Sequence, residues 1–258
     1  MSSTSLSPQK KLLGFTIKAS IVVQIITGLI TLGAVFFTLK PQDMILHDIV
    51  LMETVVQFVE LAFYVLISYY LVNISVSGVT PLRYFDWVFT TPTMLLSTIM
   101  FFDYVNNKSE GLKENRPEEK RPEEKRPKEQ GHKEKPQRFA GFVKENKETI
   151  IQIFVFNFFM LAFGYLGEIG KMNLYLANVI GFAYFGMTFY IMWDKFVRES
   201  TAIINHQLFY FMFVVWGLYG VAALMPPLMK NIGYNFLDIV AKNFYGLFIF
   251  YQMYLLRG

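Results

Sequence analysis

The sequence predicts an all-α membrane protein, a seven-transmembrane-helix bundle with its N-terminus outside. Three observations predict it. The 258 residues are 53% hydrophobic, with 27 Phe and 15 Tyr. The apolar residues fall in seven long continuous runs, near 12–38, 47–73, 81–104, 149–168, 172–194, 203–228 and 233–256, and a spanning helix needs roughly 20 such residues. The runs do not alternate polar with apolar, as barrel strands would.

The polar start, MSSTSLSPQKK, precedes a run long enough to remain as a span, so no cleaved leader is expected. The absence of Cys excludes disulfides, thiolate metal sites and cysteine nucleophiles. His47, His132 and His206 are far apart, so no metal centre is expected, and nothing points to an enzyme.

Three segments follow: 1–107 with the first three spans, a charged loop 108–147, and 148–258 with the last four spans. Within the loop, RPEEKRPEEKRPKEQ repeats every five residues from Arg116, Arg121 and Arg126. Prolines at that spacing oppose helix, and mixed charge opposes collapse. Residues 108–138 hold eleven Lys/Arg against eight Glu, which makes the loop the source of most of the +4 net charge. That charge therefore argues a solvated spacer or contact with acidic lipid headgroups, with no nucleic acid as partner. Excess positive charge places the loop in the cytoplasm.

Charged residues inside spans cost about 2.5–3.5 kcal/mol each on insertion scales, so each needs a partner or a purpose. Glu53, Glu60, Asp86, Asp238 and Lys242 are such residues, and Arg83 lies nearer a span end. Asp238 and Lys242 share a helical face at i,i+4, as do Asp86 and Thr90, and Arg83 and Asp86 share one at i,i+3. One reading is a buried ion pair that holds helices together. The other is chemical: a lysine in a dry site forms an imine with a carbonyl compound, and the protonated imine needs carboxylate counter-ions.

Two of these segments carry a resemblance. RYFDWVFTTP (residues 83–92) and FLDIVAKNFYG (residues 236–246) are similar to the signature segments of the microbial (type 1) rhodopsins, and the Asp/Thr/Ser signature resembles the giant-virus subgroup. The resemblance covers all seven spans. It implies all-trans retinal held as a protonated Schiff base on Lys242, Asp86 as counter-ion and proton acceptor, Asp238 as second carboxylate, and Arg83 on the outer side. Thr90 is expected to hydrogen-bond the Asp86 carboxylate. Tyr84, Trp87, Thr91, Met94, Met160, Gly164, Trp216 and Tyr219 are expected around the polyene.

The departures from the family pattern are also informative. Ser97 stands where pumps often carry a cytoplasmic proton donor, so Glu53 or Asp103 would have to substitute. MPPLMKNIG (residues 225–233) has Lys230 in place of a releasing acid. Gly220 and Ala223 replace the usual proline and second tryptophan, which predicts a looser pocket. Glu53 and Glu60 line one face of the second span, and Ser20, Glu60 and Asn243 resemble a channelrhodopsin gate. The function implied is a light-driven outward proton pump. A light-gated cation channel is the alternative, and a sensory photoreceptor the third reading. The partners implied are the lipid bilayer, protons or other cations, and further copies of the chain as a trimer or pentamer. The expected location is the plasma membrane of an infected or host cell.

Overall fold

The computed structural model describes residues 6–114 and 139–257. The five-residue repeat lies outside the described residues. Those residues form helices throughout: α1 (Pro8–Ala34), α2 (Ile45–Tyr70), α3 (Val76–Glu114), α4 (Phe139–Glu145), α5 (Lys147–Glu168), α6 (Leu174–Met192), α7 (Ile203–Ala223), α8 (Pro227–Asp238) and α9 (Phe244–Leu256). A π turn, Trp193–Val197, extends α6, and a second, Ile239–Asn243, joins α8 to α9.

Among the described residues, six helices are long and apolar enough to cross a membrane by themselves. The seventh span is the unbroken run α8, π turn and α9. Its apolar character is diluted by Lys230, Asp238 and Lys242, all buried. Large side chains such as Phe15, Phe89 and Phe236 face outwards, where hydrocarbon rather than water is their natural surrounding. The chain is a multi-pass integral membrane protein in contact with the lipid bilayer.

Two boundaries differ from expectation. α3 continues to Glu114, past the limit drawn at residue 107, because residues 108–114 lack proline and favour helix. The expected loop also contains α4 near its end. Pro81 and Pro92 lie inside α3 without ending it. Thr90, Thr91 and Thr93 return hydroxyl hydrogen bonds to carbonyls of the preceding turn, a common accommodation in membrane helices.

The helix ends follow local chemistry. Ser7 caps α1 with its hydroxyl, and Pro8 follows at the first helical position. Gly170, with φ +70°, ends the α5 region in the left-handed conformation that glycine adopts without cost. The Lys171 and Met172 amides then return to the Leu166 carbonyl, and Asn173 caps α6. This makes a short hairpin.

Packing closes a ring. α1 meets α2 and α9, α2 meets α3, and α3 meets α5; α5 meets α6, α6 meets α7, and α7 meets α8. On the α3 and α7 side, buried Asn205 donates to the Phe102 carbonyl at 3.0 Å and to Asn106 Oδ1 at 2.9 Å. Asn106 in turn donates to the Phe196 carbonyl at 2.8 Å, which fixes the π turn. Asn205→Ala should lower the thermal-unfolding midpoint by about 2–8 °C through loss of these buried bonds.

Candidate functional site

The buried charges converge at the centre of the ring. α8 and its π turn present Asp238 and Lys242, α3 presents Arg83 and Asp86, and α2 presents Glu60. Lys242 Nζ lies 2.7 Å from Asp86 Oδ2, 3.4 Å from Asp238 Oδ1 and 3.7 Å from Glu60 Oε1. Arg83 Nη1 lies 3.2 Å from Asp238 Oδ2. π turns occur often at functional positions, and this one contains the lysine.

The two aspartates are held differently. Asp238 accepts from Tyr64 Oη at 2.7 Å, Tyr219 Oη at 2.8 Å and Arg83, and it faces Lys242 as well. Both its oxygens are saturated. Asp86 accepts from Lys242 through one oxygen, and its Oδ1 has no protein partner. Arg83 is fixed by Asn231 Oδ1 at 3.1 Å, Tyr64 Oη at 3.0 Å and a short bond to Asn235. Three carboxyl groups thus face two cations. Neutrality in this buried site is reached when one of the three retains a proton, and Glu60, both of whose oxygens lack a hydrogen bond, is placed for it.

Thr90 departs from expectation. Its hydroxyl donates to the Asp86 backbone carbonyl at 3.0 Å, not to the carboxylate. In a helix the carbonyl four residues back is the nearest acceptor, and it competes well for a threonine hydroxyl.

A cavity of about 880 Å³, counting its mouth, opens from Lys242 between α3, α5, α6 and α7. All of Tyr84, Trp87, Thr91, Met94, Met160, Gly164, Trp216, Tyr219 and Lys242 line it. Trp87 stands nearly perpendicular to Tyr219 and Tyr234, with centroids 5.4 and 5.0 Å away. Sequence reasoning missed the α6 wall (Asn178, Gly181, Phe182 and Phe185) and Tyr234. The α6 wall was hidden because small and aromatic residues recur all along that span. The looser pocket expected at Gly220 is corrected. A Cβ there would lie 2.5 Å from the Phe182 ring, so α6 supplies the bulk that α7 lacks.

Past Lys242, toward the C-terminal half of α3, Ser97 and Glu53 are joined by a short hydrogen bond. Ser97 also lies 2.8 Å from the Met94 carbonyl. One hydroxyl hydrogen cannot serve both acceptors, and a carboxylic-acid proton on Glu53 would complete the set. Asp103 lies farther along α3, where it accepts from Asn107. Of the expected gate residues, Glu60 stands beside Lys242, and Asn243 donates to Thr27 of α1 at 3.0 Å. Ser20 is buried in α1. Toward the opposite end of the bundle, Lys230 pairs with Glu168, a cavity residue at the end of α5, at 2.7 Å.

A ring of seven membrane helices with a lysine and facing carboxylates at the inner end of an apolar cavity defines a chromophore-carrying class of membrane protein. The bacteriorhodopsin-like protein family matches residues 16–256, and the chain belongs to that family. The crystal structure of viral rhodopsin OLPVRII is similar at 28% identity and TM-score 0.75, covering 96% of this chain and 100% of that one. The rhodopsin of Exiguobacterium sibiricum is similar at 14% identity and TM-score 0.69, covering 98% and 100%. The thermophilic rhodopsin of Rubrobacter xylanophilus has the same identity and score, covering 95% and 97%. No curated protein matches the sequence. Members of this family bind retinal through a lysine Schiff base. The residues here fit such a group: apolar and aromatic walls, and an amine with carboxylates at the inner end.

Proposed function

We propose that this chain is a light-driven outward proton pump in which Lys242 carries all-trans retinal. The observation that carries the reading is the unequal bonding of the two aspartates. Asp238, with every lone pair directed at a donor, is suited to remain a fixed negative charge. Asp86, 2.7 Å from the lysine nitrogen and with one oxygen free, is suited to accept a proton. Retinal, when bound, supplies a light-driven isomerisation beside a buried proton on the lysine nitrogen.

The chain's own residues support that direction. Asp86 lies toward Arg83, which holds the outer side through Asn231, Asn235 and Asp238. A proton on Asp86 would weaken its attraction for the cations around it and favour onward release. Glu53, buried and bonded to Ser97, supports a return route from the other side. The carboxyl function that related pumps place on the third span would then be supplied by α2, with Ser97 as its bonding partner. Exclusion of water by the aromatic walls strengthens each of these interactions.

Whole-cell photocurrents, stepped across holding potentials, test the reading. A pump gives outward current at every potential within the physiological range. Current that reverses with the cation gradient would instead establish a light-gated channel along Ser20, Glu60 and Asn243.

A further inference from the structure

α1, α2 and the last helix meet along a seam of buried polar side chains that joins the cluster around Lys242 at Glu60. From α1 come Gln24, Thr27 and Thr31, and from α2 come Glu53, Gln57 and Glu60; the last helix gives Asn243. Both side-chain polar atoms of Gln24 and of Gln57 lack a hydrogen-bond partner in the protein, as do both oxygens of Glu60, Glu53 Oε2 and Asn243 Oδ1. Buried polar groups are nearly always hydrogen-bonded, and each orphan costs about 1–3 kcal/mol. Eight orphans along one seam are therefore better read as the lining of a hydrated site than as eight separate penalties.

The packing singles out Gln57. Its amide is seated between two glycines: a Cβ on Gly246 would stand 2.0 Å from Gln57 Nε2, and one on Gly28 would stand 3.8 Å from Oε1. Because α1 and α2 run antiparallel, Gln24, one turn before Gly28, lies level with Glu60, one turn after Gln57. Asn243, bonded to Thr27, closes the third side next to Lys242. Glu53, Gln57 and Glu60, at i, i+4 and i+7, make one continuous polar edge of α2. A water in such a place has two to four polar partners within reach, the number an internal water takes.

We propose that Gln57, with Gln24 and Asn243, holds a short file of internal water that carries protons from Glu53 to Glu60. The file passes along the α1–α2 side of Lys242, away from α3. This rests on the pump reading, in which Glu53 returns the proton. The proton leaving Glu53 enters the file, and the water at its far end gives a proton to Glu60. Glu60, 3.7 Å from the lysine nitrogen, passes on the one it already held. Glu53 regains its proton from the aqueous phase on its own side of the membrane, so each group begins and ends the cycle with the same number of protons. Gln57 touches the water and not the reacting nitrogen, so it is a positioning residue.

Gln57→Leu keeps roughly the bulk of the side chain and removes both polar atoms. Gly246→Ala leaves Gln57 in the sequence and expels its amide from the seam. Both should form pigment with the absorption maximum of the unsubstituted protein. Both should slow decay of the flash-induced blue-shifted absorbance about tenfold or more, tenfold being ~1.4 kcal/mol of barrier. Added azide, a small permeant acid, should restore the rate, because it bypasses the file. A crystal structure of the unsubstituted protein without retinal should show ordered water within hydrogen-bonding reach of Gln57. Decay within twofold of the original in both variants, or a seam without ordered water, would overturn the proposal. Should one variant fail to fold, the other and the crystal structure decide. The pump reading fails separately, through a reversing photocurrent in the unsubstituted protein.

Discussion

Lys242→Ala is expected to yield a protein that reaches the membrane and takes no colour with all-trans retinal. The effect should be complete, because among the described residues Lys242 is the lysine that lines the cavity. The substitution also has an electrostatic consequence. Without the ammonium group, Asp86, Asp238 and Glu60 face Arg83 alone, and Asp86 loses its hydrogen-bond donor. Leaving a buried charge without its partner costs about 3–5 kcal/mol, so the single variant should also be less stable. Lys242→Ala combined with Asp86→Asn removes both charges and should recover much of that stability while remaining colourless. Absorption spectra of the two purified proteins, together with their thermal midpoints, check both statements. A pigment that survived Lys242→Ala would overturn the attachment site.

The second large effect is expected at Asp86. Asp86→Asn keeps the shape of the side chain and removes the charge that faces the lysine nitrogen at 2.7 Å. With the ground-state cation less stabilised, the absorption maximum should move to the red. The flash-induced blue-shifted absorbance should vanish, and the outward photocurrent should fall by at least about 100-fold, the low end for removal of a proton acceptor. Asp238→Asn should act differently. Its carboxylate accepts from two tyrosines and Arg83, so the variant should lose pigment yield and thermal stability along with activity. Equal loss of the blue-shifted signal in both variants, with equal pigment yield, would remove the distinction between them.

Much of this was legible in the sequence because two physical signals are strong. Long apolar runs leave little choice but membrane helices, and a charge inside such a run has to be neutralised by another. Arg83, Asp86, Asp238 and Lys242 could therefore be grouped by helical spacing and sign, and the structure brings them within hydrogen-bond or ion-pair distance. The stagger of Glu53 and Glu60 on one face was readable in the same way. The Glu168–Lys230 pair was not, since its partners lie 62 residues apart on different helices and each alone resembles an end-of-helix charge. The direction of the Thr90 hydroxyl was also hidden. Spacing puts Thr90 beside Asp86, but only the rotamer decides between carboxylate and carbonyl. The unpaired state of Gln57 depends on glycines of two other helices, so no local pattern could announce it.

The π turn at Ile239–Asn243 also bears on how the chain tolerates change. It accommodates one residue more than an α-helical turn, and each residue advances an α-helix by about 100°. The last span is therefore two rods whose faces are out of phase, with the lysine at the dislocation. Deleting a single residue there would let the helix anneal into one straight rod. Because the π turn already absorbs the extra residue, Gly246 and Ile249 would keep their faces, as would Asp238 and everything before it, and the change would fall on Lys242 and its immediate neighbours. A deletion within these five residues should thus be felt at the lysine itself, whereas one elsewhere in the span should rotate one half of the helix against the other. Chain length through that turn is as much a part of the site as the identity of the lysine.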